Sequence, residues 1–65
     1  MNLTDDAKRK IKILEKLEKS HPSKEHDIKN KITILNGGIN IDNVDFLSRA
    51  LDDINSFIKE LIWKR

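Results

Sequence analysis

The sequence of 65 residues contains no cysteine and no tyrosine, and it has one proline, two glycines and three aromatic residues. Because cysteine is absent, neither a disulfide nor a thiolate metal site can supplement the core. The two glycines follow a helix-like segment and not a strand, so no phosphate-binding loop is predicted. No apolar run is long enough to cross a bilayer. Stability must therefore come from the packing of a small core, with or without a partner chain.

Charge is abundant but nearly balanced, with 13 basic and 11 acidic residues and a net charge of +2. This balance is typical of a soluble protein and points only weakly to nucleic acid. The first ten residues, MNLTDDAKRK, lack the apolar segment of a signal peptide. We therefore expect a cytoplasmic protein that does not bind membranes. The length allows a single domain, residues 1–65.

The segment from Asp42 to Arg65 has the clearest pattern in the chain. On a helical wheel, all of its apolar residues except Trp63 fall inside one arc of roughly 160°. These residues are Val44, Phe46, Leu47, Ala50, Leu51, Ile54, Phe57, Ile58, Leu61 and Ile62. A stripe this wide exceeds what one partner helix covers, so we expect two other helices to share it. Trp63 alone projects onto the polar side.

Local signals place the start of this third helix at Asp42. Aspartate is a favourable N-cap, and Ile41 and Phe46 then have the spacing of a hydrophobic staple. Asp45 adds negative charge to the first turn, where the helix dipole favours it. We predict a helix over residues 42–64, longer than the two that precede it.

The first helix is predicted over residues 4–19. Thr4 is a suitable N-cap, and Asp5 and Asp6 follow it with favourable negative charge. Pro22 restricts the residue before it to non-helical geometry, which ends the helix near Lys19.

The second helix is predicted over residues 22–36. Pro22 can occupy its first position, or Ser23 can cap it one residue later. Asn36-Gly37-Gly38 is expected to end it, because glycine tolerates the left-handed conformation of a C-cap. The short connection to the first helix predicts an antiparallel hairpin.

These elements predict an all-α fold, a small antiparallel three-helix bundle in which the third helix lies along both others. The predicted core consists of Ile11, Leu14, Leu17, Ile28, Ile32, Leu35, Phe46, Leu47, Ala50, Leu51, Ile54, Phe57, Ile58 and Leu61.

Apolar residues at the edges and ends of the stripes are not obviously covered by three helices. They are Ile13, Ile34, Ile39, Ile62 and Trp63. Such edges can join into a binding patch, and tryptophan is enriched among interface hot spots. Trp63 could instead fold against a neighbouring helix or loop of its own chain. We predict a non-enzymatic adaptor or regulator that binds another protein, or itself as a homo-oligomer, through helix faces.

Five cations on one face of the first helix suggest an alternative function. Lys8, Arg9, Lys12, Lys16 and Lys19 occupy about 100° of the wheel, opposite the apolar side. Such a face could follow phosphates, which predicts a nucleic-acid-binding accessory protein with salt-dependent affinity. It could equally be a solvated surface. A DNA-reading helix-turn-helix is rejected because the start of the third helix is acidic.

Catalytic and metal-binding patterns are missing. His21 and His26 are separated by five residues, whereas a metal pair on one helix face needs three or four. Ser20 and Ser23 near His26 have no third group to orient a base. We therefore expect neither an enzyme nor a metal, cofactor or small-molecule substrate.

Overall fold

The computed structural model describes residues 3–63, which form three α-helices and no strand. Helix α1 spans Leu3–Ser20, α2 spans Glu25–Ile41 and α3 spans Val44–Trp63, with one turn of 3-10 helix, Pro22–Lys24, before α2. Each helix contacts the other two. Because both connections are short, successive helices run antiparallel. The all-α three-helix bundle predicted from the sequence is confirmed, and α3 is the longest helix.

The core lies between the three helices, and α3 contributes most of it. The buried side chains are Ala7, Leu14, Ile28, Leu35, Leu47, Ala50, Leu51, Ile54 and Ile58. Ile11, Leu17, Ile32, Phe57 and Leu61 are partly buried against this core. The predicted core was wrong at Phe46, which is 41% exposed. It also omitted Ala7, which is fully buried.

Helix α1 begins and ends within one residue of the prediction. Thr4 lies inside the helix, one residue after its start, so its prediction as the N-cap was wrong. At the other end the hydroxyl of Ser20 donates to the carbonyl of Lys16 at 3.3 Å, and the backbone N–H of His21 donates to the carbonyl of Leu17 at 2.8 Å. The bond from His21 satisfies a carbonyl of the last turn that has no partner within the helix.

The second helix begins later than predicted. Pro22 presets the backbone angle of a single 3-10 turn, and α2 proper starts at Glu25. Ser23 lies within that turn, and no side chain caps α2, so the prediction of Ser23 as the cap was wrong.

Helix α2 also continues five residues past its predicted end, through both glycines to Ile41. At Gly38 the helix approaches α3 closely. A Cβ there would lie 2.7 Å from Cδ2 of Leu47 and 2.8 Å from Cδ2 of Phe46. Only glycine permits this contact. The packing of α2 on α3 therefore outweighs the helix propensity that each glycine sacrifices, about 1 kcal/mol.

Asp42 and Asn43 form the turn between α2 and α3, and Asp42 does not have the role that the sequence predicted for it. Asp42 was predicted to cap α3 but adopts the left-handed conformation that ends α2, with φ 52° and ψ 42°. Its N–H donates to the carbonyl of Ile39 at 3.2 Å, and the N–H of Asn43 donates to that of Gly38 at 3.3 Å. This pair of bonds is a Schellman motif.

Asn43 is the residue that caps α3. Its side-chain oxygen accepts a hydrogen bond from the N–H of Phe46 at 3.0 Å. Helix α3 therefore starts at Val44, two residues later than predicted, so Ile41 and Phe46 do not occupy the two positions of a hydrophobic staple. Both of these side chains are exposed. The predicted last residue, Lys64, lies outside the described residues.

Candidate functional site

The end of the bundle where α1 turns into α2 also carries the last turn of α3, and we call it the hairpin end. Here Ile62 is 55% exposed and Trp63 is 82% exposed. The antiparallel arrangement brings this turn beside residues 21–24 but does not cover it. The sequence interpretation in which Trp63 folds against its own chain is therefore wrong, because most of the indole is in contact with solvent.

A cleft of about 240 Å³ opens at the hairpin end. It is lined by His21, Ser23, Lys24, Phe57, Glu60 and Leu61. Phe57 and Leu61 are partly buried against the core and form its apolar part. Trp63 lies three residues after Glu60 on the same helix, so the two side chains are neighbours on its surface. We call this depression the hairpin-end cleft.

Opposite charges border this cleft. Lys24 and Glu60 are both exposed, and within the described part of the chain neither forms an ion pair. The ring of His21 lies 3.3 Å, measured from Nδ1, from the carbonyl oxygen of Leu17. As far as the described residues show, the cleft therefore combines an apolar floor with one unpaired cation and one unpaired anion at its rim.

The other predicted apolar binding residues do not join this surface. Ile34 and Ile39 are partly buried and pack against the core of their own chain. Ile39 is covered because α2 extends to Ile41 and lies along α3 for a further turn. Ile13 is 38% exposed in the middle of α1, away from either end of the bundle. Of the five predicted residues, only Ile62 and Trp63 are adjacent and exposed.

A second set of exposed apolar side chains lies at the opposite end, where α2 turns into α3. We call it the turn end, and it consists of Ile41, Val44 and Phe46. A shallow depression beside it is lined by Asn43, Asp45, Phe46 and Arg49. The sequence interpretation missed this surface because it paired Ile41 with Phe46 in a staple. With Asn43 as the cap, Phe46 lies in the first turn of α3 and is not a partner of Ile41 in a hydrophobic staple.

The basic face of α1, defined by Lys8, Arg9, Lys12, Lys16 and Lys19, is exposed at all five positions. No carboxylate of residues 3–63 lies within salt-bridge distance of these cations. The ion pairs found there instead join Lys29 to Glu18 and Glu25, and Lys31 to Asp53. Among residues 3–63, the basic face is therefore solvent-facing and forms no ion pair, although Asp5 and Glu15 lie within one helical turn of it.

Lys31 has a structural role between α2 and α3. Its Nζ lies 2.9 Å from a carboxylate oxygen of Asp53 and 5.4 Å from the ring centroid of Phe57. A cation over an aromatic face adds attraction to the ion pair. Phe57 thus contacts Lys31 and also lines the hairpin-end cleft.

Two kinds of site are missing from the described residues. No group of three histidine, aspartate or glutamate side chains among residues 3–63 could hold a metal ion. None of the helices in the same range is both long enough and apolar enough to span a membrane.

Comparison of the chain with protein-family models, with curated proteins and with solved structures found no match.

Proposed function

We propose that this chain is a small non-enzymatic adaptor or regulator that binds another protein, or a second copy of itself, through the hairpin end. The observation that supports this most directly is the 82% exposure of Trp63. Indole rings bury a large area when a partner covers them, and they are enriched among interface hot spots. The cytoplasmic setting predicted from the sequence belongs to the same proposal.

The size of the chain suits such a role. A standard interface covers about 800 Å² of each partner. The whole chain exposes 4961 Å², so a standard interface would occupy about a sixth of its surface. Ile62, Trp63 and the hairpin-end cleft together offer an apolar centre with a charged rim, which is the usual composition of a binding patch.

Binding measurements with two matched variants test this proposal. The full chain is used to capture partners from the cells it comes from, and each captured protein is purified and titrated against the chain. We expect Trp63→Ala to weaken binding at least about thirtyfold, as loss of a hot spot does. Ile41→Ala, at the exposed turn end, should leave the affinity within about threefold. Equal binding by both variants, or a chain that binds neither a partner nor itself, would contradict the proposal.

The basic face supports a second candidate function, a nucleic-acid accessory protein. Its five exposed cations lack carboxylate partners within residues 3–63, so they are available to phosphates. If all five contact a duplex, affinity should fall with a logarithmic salt slope of about −4.5. Between 50 and 200 mM salt that slope amounts to a loss of roughly 500-fold.

Fluorescence anisotropy with labelled duplex DNA and single-stranded RNA tests this candidate. Lys12→Glu should abolish most of the binding, because it reverses the charge at the centre of the face. Lys59→Glu, on the exposed surface of α3, makes the same change in net charge and should weaken binding much less. No anisotropy change at 50 mM salt, or equal effects of the two variants, would eliminate this function.

A further inference from the structure

We propose that the occupant of the hairpin-end cleft is the Trp63 side chain of a second copy of this chain, in a two-fold symmetric pair. The inference rests on the proposed function and names the partner of the same surface. In such a pair each Trp63 would enter the other copy's cleft, and each Lys24 would face the other copy's Glu60.

The volume of the cleft favours a single side chain over a small molecule. Sites for small molecules usually enclose about 300–1,000 Å³. The hairpin-end cleft is smaller, about 240 Å³, and it is open. Its apolar floor of Phe57 and Leu61 suits an aromatic ring, because offset or edge-to-face contacts with Phe57 add to the burial of area. Trp63 is the one exposed aromatic side chain at this end of the described chain.

The position of Trp63 favours a symmetric pair. A two-fold interface brings the same patch of both copies together, so a donor side chain and its acceptor must lie in one patch. Trp63 and the cleft meet this requirement, because Glu60 lines the cleft and Trp63 lies three residues after it on the same side of the helix.

The charges at the rim also favour self-pairing. A patch of one sign would repel its own copy. Lys24 and Glu60 give this patch one charge of each sign, and neither is neutralised by another described residue. Rotation about a two-fold axis can place each cation beside the other copy's anion at both sides of the interface.

The surface involved is small, so the pair should be weak. Interfaces that bury less than about 1,200 Å² in total belong to transient complexes. We therefore expect a dissociation constant in the micromolar range or weaker. Its dependence on a few side chains makes it sensitive to single substitutions.

Sedimentation equilibrium of the full chain from about 10 μM to 1 mM measures this association. We expect a monomer–dimer equilibrium. Trp63→Ala should weaken it at least about thirtyfold, and Lys24→Glu and Glu60→Lys should each weaken it about fivefold to tenfold. All three side chains are exposed, so circular dichroism should show unchanged helix content in every variant.

A mixture of the Lys24→Glu and Glu60→Lys chains tests directly whether these two residues meet across the interface. In a two-fold pair of Lys24→Glu with Glu60→Lys, each rim contact again joins opposite charges. The mixture should therefore associate about as strongly as the original chain, although each variant alone does not. The double variant Lys24→Glu/Glu60→Lys should recover in the same way.

Three results would overturn this inference: a monomer throughout the concentration range, a dimer that survives Trp63→Ala, or a mixture no stronger than its components. If the chain stays monomeric but binds another protein through Trp63, the self-pairing is wrong and the proposed function stands. If it forms no complex of either kind, both fail.

Discussion

Gly37 and Gly38 are adjacent in α2, but their surroundings differ. A Cβ added at Gly37 would meet no atom within 4 Å, whereas one added at Gly38 would overlap Leu47, which is held in the core. Neither glycine has a positive φ. The first residue therefore only weakens the helix, while the second permits α2 and α3 to approach each other.

Alanine at each position should separate these two roles. Both substitutions raise helix propensity equally, so we expect Gly37→Ala to stabilise the fold by about 0.5–1 kcal/mol. Gly38→Ala should be less stable than Gly37→Ala by about 1–3 kcal/mol, the usual cost of overpacking. Urea denaturation measures both. Equal stability of the two variants would mean that the approach of α2 to α3 is not as close as described.

At the scale of the elements, the turn between α2 and α3 must end one helix and begin the next, and a different residue does each. Asp42 ends α2 in the left-handed conformation, and the side chain of Asn43 begins α3. Left-handed backbone is strained for residues other than glycine, although aspartate tolerates it better than most.

Substitutions in this turn should therefore act in opposite directions. Asp42→Gly removes the backbone strain at the end of α2 and should stabilise the protein by up to about 1 kcal/mol. Asn43→Ala removes the cap of α3 and should cost about 1 kcal/mol. If Asp42 were the cap, as the sequence alone suggested, Asp42→Gly would not stabilise and Asn43→Ala would be nearly neutral.

The elements also explain which parts of the fold could be predicted from the sequence. α3 has a wide apolar stripe, and both α1 and α3 carry negative charge in the first turn, so the sequence places these two helices within two residues of their observed starts. α2 contains two glycines whose local preference favours a helix end. Contact with Leu47, which belongs to the next helix and lies nine residues further along the chain, overrides that preference. A single sequence does not reveal such a tertiary contact.

The candidate site was predictable to a similar degree. The wheel separates Trp63 from the apolar stripe, but it leaves open whether the indole folds against its own chain, and only the structure shows that it is exposed. The cleft beside it was not predictable, because it requires the 3-10 turn at Pro22 to lie against the last turns of α3. The displaced end of α2 accounts for the errors at Ile39, Ile41 and Phe46.

At the scale of the whole molecule, stability depends on one small core. Ile54 lies at its centre, on the middle of α3, and is fully buried. In a domain of this size a few kcal/mol are a large share of the total stability.

Shortening the side chain of Ile54 should therefore destabilise the fold strongly. We expect Ile54→Ala to lower the free energy of unfolding by about 2–5 kcal/mol, through lost burial and the cavity left behind. Ile62→Ala, which shortens an exposed isoleucine on the same helix, should change it by no more than about 0.5 kcal/mol. A change at Ile54 as small as that at Ile62 in a urea titration would mean that the stripe does not face a core.

The central claim is that Trp63 is exposed in the single chain and becomes buried when the hairpin end binds its partner. Trp63 is the sole tryptophan, and tyrosine is absent, so its fluorescence reports this surface directly. The measurement is the emission maximum of the full chain as its concentration rises from about 10 μM to 1 mM, the range of a weak pair. We predict emission typical of a solvated indole at the lowest concentration and a shift to shorter wavelength at the highest. A maximum that stays at the solvated position throughout would contradict the self-pairing through Trp63, and one already shifted in the most dilute sample would contradict the exposure of Trp63 in the single chain.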